Sequence, residues 1–148
     1  MGHFDELLSK KIVAHKVDNL VQSRPEPNAA TAAGTHTITI AEIKKGILRC
    51  DPTADRAWTA PTAALAVAGV TDVKVGDCLD FYLINIGTAN ADEIITVSAG
   101  SGGTLVGSGA VLTANAVNDA FSSGSGHFRL RFTNVTASSE AYDLFRLA

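Results

Sequence analysis

Glycine, histidine, cysteine and paired carboxylates are the residues here that chemistry would use, and their spacing limits what they can do. The densest glycine stretch is AGSGGTLVGSG, residues 99–109. A phosphate-binding loop follows its last glycine with Lys and Ser or Thr, which must meet the phosphates and their cation. No such pair follows here, and no three glycines have the dinucleotide-binding spacing. The stretch reads as turns between strands. No serine stands in a G-x-S-x-G elbow. The four histidines, His3, His15, His36 and His127, include no pair at metal-ligand spacing. His36 and His127 stand where strands begin and read as solvated edge residues. Carboxylates pair at Asp51/Asp55, Asp77/Asp80 and Asp92/Glu93, without the oxygen-ligand spacing of an EF-hand. Asp51 before Pro52 and Asp77 after Gly76 suit turns.

Cys50 and Cys78 lack a C-x-x-C motif and form neither a zinc nor a redox signature. They read as two buried thiols in a reducing compartment. Trp58 lies in DRAWTAP, a polar loop by composition. A lone Trp there can stack on a sugar, but it more often plugs a core or a subunit seam. The expectation is therefore no catalytic residue, no metal and no cofactor, hence not an enzyme.

The elements that would position these residues follow from periodicity. GHFRLRFTNV, residues 126–135, alternates Phe128, Leu130 and Phe132 with Arg129, Arg131 and Thr133. That is a strand with one dry and one wet face. Arg129 and Arg131 then stand in a row, two residues apart, either on a solvated face or laddered to acidic groups on a neighbouring strand or subunit. HTITI, GILRCDP, VGDCLDFYLINIGT, DEIITVSAG, GTLVGSGAVLT and EAYDLFRL read as further strands. VGDCLDFYLINIGT is apolar on both faces and should be central. TAPTAALAVAG, with Pro61 near its start and Gly69 near its end, reads as a short helix. Ten of the 13 glycines fall at or after residue 69, mostly between the strands. Short strands with glycine-rich turns predict a mainly β domain over residues 36–148, an antiparallel β-sandwich or barrel, jelly-roll-like, with one short helix.

The first 35 residues differ. FDELLSKKIVAHKV, residues 4–17, puts Phe4, Leu7, Leu8 and Ile12 on one helical stripe. A helix that short needs a surface to be stable. QSRPEPNAATAAGT, residues 22–35, has Pro25, Pro27 and Gly34 among small residues and reads as a linker. Residues 1–35 thus form an N-terminal arm. Residues 1–50 hold seven Lys/Arg against five Asp/Glu, while residues 51–148 hold five against ten. An acidic body with a mildly basic front argues against nucleic-acid binding. The sequence has no apolar run of 18 residues, so no membrane span is predicted, and its start has no secretion-signal core.

Taken in order, GILRCDP, APTAALAVAG, VGDCLDFYLINIGT, DEIITVSAGSGGTLVGSG and FRLRFTNVT resemble small virion proteins of tailed phages and related large DNA viruses. The resemblance is to the capsid decoration, or cement, type and covers about residues 36–147. It implies a structural virion protein on the outer capsid surface, assembled in the host cytoplasm, with the major capsid protein as partner. It also implies a homotrimer, an arm that grips neighbouring subunits through Phe4, Leu7, Leu8 and Ile12, and no catalytic residues. Trp58, Arg129 and Arg131 are then candidates for the subunit interface. The alternative is a receptor- or carbohydrate-binding β module of a viral fibre or spike, with Trp58, Tyr82 and Tyr142 as aromatic platform.

Overall fold

Thr39 and Glu42 fix the first helix of the body. The computed structural model describes residues 28–29, 35–52, 54–87, 93–111 and 124–148; the arm stripe of Phe4, Leu7, Leu8 and Ile12 lies outside them. Helix α1 runs Ile40–Lys45. Thr39 Oγ1 accepts the Glu42 amide at 3.2 Å, and Glu42 Oε2 accepts the Thr39 amide at 2.8 Å, a complete capping box. Gly46 ends the helix at φ 83°, a left-handed conformation that glycine adopts without a β-carbon clash. HTITI is therefore a two-residue strand followed by a helix start. The alternation of Ile38 and Ile40 imitates a strand, but T-x-x-E is the stronger local instruction. Helix α2, Ala63–Ala68, lies within the predicted segment, with Thr62 as its N-cap.

The strands are β1 Asn28–Ala29, β2 His36–Thr37, β3 Ile47–Cys50, β4 Arg56–Thr59, β5 Cys78–Asn85, β6 Ile95–Ser98, β7 Gly103–Val106, β8 Ala110–Val111, β9 Ser125–Asn134 and β10 Ala141–Arg146. The protein is mainly β. A six-stranded sheet has the order β1-β3-β5-β9-β10-β7, and a four-stranded sheet the order β2-β4-β6-β8. Through β8 the chain alternates strictly between the two.

The expected antiparallel, jelly-roll-like pairing holds at β5–β9, β9–β10 and β6–β8 only. The ladders β1–β3, β3–β5, β2–β4, β4–β6 and β7–β10 are parallel. The cause is topological. A chain that leaves for the other sheet and returns to lie beside its previous strand in the same direction makes a parallel pair. Two further expectations change. DRAWTAP is largely strand β4, inside the four-stranded sheet. Asn28–Ala29, within the predicted linker, pairs with Leu48 and Arg49 of β3.

Buried residues of both sheets and both helices form a single apolar cluster. Phe128, Leu130 and Phe132 are 0–1% exposed, as their alternation predicts. Phe128 stacks on Phe81, with ring centroids 5.4 Å apart. Three polar side chains tie the sheets together. Asn85 Nδ2 on β5 donates to the carbonyls of Glu93 and Val111. Arg146 on β10 donates to Ala110 of one sheet and Ser125 of the other, with its guanidinium 5.0 Å from the centre of the Phe128 ring. Tyr142 donates its hydroxyl to Pro61 O at 2.8 Å and accepts the Gly100 amide at 2.9 Å. Burial pushes the Tyr142 phenol up and the Arg146 guanidinium down from their ordinary pKa values.

Two substitutions test this core. Phe128→Ala should destabilise by about 3–5 kcal/mol in denaturant melts, the usual cost of deleting a buried ring. Tyr142→Phe keeps the ring but strands a buried amide and a buried carbonyl. It should cost about 1–3 kcal/mol; a neutral result would mean that water replaces the hydroxyl.

Candidate functional site

The wet face of the six-stranded sheet carries the residues closest to a functional site. Strands β3, β5 and β9 lie side by side, so their outward residues form a grid. Asp80 on β5 faces Arg129 on β9, Tyr82 faces His127, and Ile47 on β3 flanks Tyr82 from the other side. Directly opposed residues hold their β-carbons about 4.5–5.5 Å apart, within reach of side-chain contact.

Asp80 and Arg129 make a two-point fork, Nε to Oδ1 and Nη2 to Oδ2, both 2.7 Å. The hydrogen bond from Arg129 is the main reason that the Asp80 carboxyl titrates below the usual carboxylate range. Burial opposes that shift, and the nearby His127 adds to it. The same bond holds Arg129 more firmly charged. His127 Nε2 lies 3.6 Å from Asp80 Oδ2, too long for a hydrogen bond, and is sealed from water. The His127 ring stacks on Tyr82, with centroids 4.4 Å apart and planes 13° apart. His127 is thus a half-buried residue within β9, not a solvated strand start. His36 is likewise half-buried, hydrogen-bonded to Glu42 at 3.2 Å and set against Trp58.

Other predicted residues fall elsewhere. Arg131 is exposed, opposite Cys78 on β5 and Asp143 on β10. Trp58 corrects the expectation of a subunit contact or sugar platform. It is 1% exposed within the single chain and belongs to the core. The reason is β4, which turns the Trp58 side chain inward between β2 and β6. Tyr142 is buried as well, so of the three proposed platform aromatics only Tyr82, 45% exposed, reaches the surface. Cys50 is buried as expected, but Cys78 is exposed; both are free. Burial pushes the Cys50 thiol up.

Cys78 is the exposed thiol, but it lies opposite Arg131, four residues along β9 from His127. At about 3.4 Å per residue that is some 13 Å, so thiol and imidazole form no dyad. Both Asp80 oxygens are engaged by Arg129. Among the described residues, no three His, Cys, Asp or Glu side chains are grouped to hold a metal ion, and no helix is long and apolar enough to cross a membrane. No family model matches the chain, and neither does any curated protein or solved structure.

Sequence reasoning picked out Arg129 and Arg131 but not the cluster of Asp80, Tyr82 and His127. The alternation within Asp80-Phe81-Tyr82-Leu83 marks the outward residues of β5. Which residue of β9 each one faces depends on register, and the two strands are about 40 residues apart in the chain.

The fork predicts a pH dependence. The folded carboxyl of Asp80 is depressed, and an unfolded Asp titrates near pH 3.9. Its contribution is complete above about pH 4 and is lost as the pH falls through the folded value. Both side chains are partly exposed, at 43% and 35%, so the contribution is small. Urea midpoints of the parent and Asp80→Asn should differ by a constant amount above about pH 5 and converge below about pH 4. A gap unchanged at low pH would show that the pair does not titrate as described.

Proposed function

We propose that this chain is a structural binding protein that decorates the outside of a viral capsid as a homotrimer. The observation that carries the reading is the rigid wet face of the six-stranded sheet. Asp80 and Arg129 are paired by a two-point fork, and Arg131 stands exposed at one end. Such a face gives orientation and partner choice rather than turnover. Two sheets around one apolar cluster fit a β-sandwich, the body that the segment resemblance implies. In this reading the arm grips the major capsid protein through Phe4, Leu7, Leu8 and Ile12. Arg131 contributes to the contact between subunits, while Arg129 is already engaged by Asp80 of its own chain.

Three chains of 15.3 kDa make 45.9 kDa, the mass that light scattering should report. Arg131→Glu should shift that mass towards a monomer without lowering the melting temperature of the monomeric body. Deleting residues 1–27 leaves β1 in place. It should preserve the fold and the oligomer but sharply reduce co-sedimentation with undecorated capsids. A monomeric full chain at micromolar concentration, or undiminished sedimentation of the truncated chain, would overturn the corresponding part of the proposal.

A further inference from the structure

The grid of outward side chains on the six-stranded sheet has a gap. In the β3 column the outward residues begin at Ile47, and Gly46 before it has no side chain and turns back into α1. Beside Asp80 the β3 column therefore gives way to the end of α1. The gap is a groove of about 370 Å³ lined by Gly46, Ile47, Asp80, Tyr82 and His127. Small-molecule sites begin at about 300 Å³. Arg131 and Cys78 stand one outward row beyond Asp80 and Arg129 and do not line the groove.

We infer that this groove binds a neutral, hydroxyl-rich ring, the pyranose unit of a glycan. The inference goes beyond the capsid reading and does not depend on it. Its first support is charge. Arg129 already matches the Asp80 carboxylate, so the groove offers no net charge to a free ion. A cation would compete with Arg129, and an anion would face Asp80.

The second support is acceptor capacity. A carboxylate has about four acceptor sites, and the fork uses one on each oxygen. The remaining lone pairs are held in a fixed plane, on a side chain 35% exposed. Fixed acceptors without net charge suit adjacent hydroxyl donors.

The third support is the wall. Tyr82 is 45% exposed, stacks on the His127 ring and stands opposite Ile47 in the β3–β5 ladder, so it presents an ordered apolar wall ending in a hydroxyl. The C–H surface of a sugar needs such a wall, and little conformational freedom is lost in using it.

Two-dimensional NMR of the full chain tests the inference. The probes are glucose, galactose, mannose and N-acetylglucosamine, each up to about 10 mM, enough to populate millimolar complexes. At least one should give saturable shifts at the Tyr82 and His127 rings and the Asp80 amide. Added salt should leave those shifts unchanged, because neither partner carries net charge. Tyr82→Ala and Asp80→Asn should each weaken binding roughly tenfold or more, with the remaining amide spectrum confirming the fold, while Arg131→Ala should have no effect. No shift with any of the four sugars overturns the inference. So do shifts that survive Tyr82→Ala, or tighter, salt-dependent binding of glucosamine or glucuronate, which would make charge the determinant.

Discussion

Phe81 and Phe128 stack at 5.4 Å beneath the β5–β9 ladder, and that buried contact sets the register on which the outer face depends. Side chains alternate with a period of two. A slip of one residue would carry Phe128, Leu130 and Phe132 into water and turn both arginines into the core. The buried rings therefore specify which outward residues meet. Asp80 faces Arg129, and Tyr82 faces His127, because Phe81 faces Phe128 between them. The fork adds geometry to an alignment that the core has already determined.

The second constraint is close backbone packing in and beside the four-stranded sheet, before β8 and after β4 and β6. A β-carbon on Gly109 would run into the carbonyl oxygen of Val97, and one on Gly100 into the carbonyls of Ala60 and Pro61. The glycine-rich stretch, which reads as turns between strands, is thus also a place where backbone packs on backbone. Tyr142 completes the junction by bonding Gly100 and Pro61 through one hydroxyl. The Asn85 amide likewise donates to two carbonyls, those of Glu93 and Val111.

The parts of the fold legible in the sequence are those that local periodicity controls. The dry face of β9 follows from side-chain spacing alone, and the helix before Gly69 from the Pro61 and Gly69 that flank it. Strand β4 was obscured because Arg56, Thr59 and the neighbouring Asp55 make DRAWTAP look polar. Of the four residues of β4 only Trp58 is buried, and so short a strand gives alternation little room to show. The parallel ladders were illegible for a different reason, since pairing between strands separated by an excursion to the other sheet leaves no local trace. The same holds for the candidate site. Its residue types are ordinary, and only the neighbouring columns of the sheet bring Ile47, Tyr82 and His127 together.

The strict alternation of strands between sheets also bears on how the chain reaches this state. Among the described strands, β9 and β10 are the one pair both consecutive in the chain and hydrogen-bonded to each other. Every other ladder joins strands with at least one intervening element. The β9–β10 hairpin is the local nucleus that the topology provides, and it lies near the C-terminal end of this sequence. Ladders that close long loops pay their entropy before they gain contacts, which slows folding. During synthesis the earlier strands emerge before this hairpin, and the edge of β5 that β9 covers stays unpaired until β9 arrives.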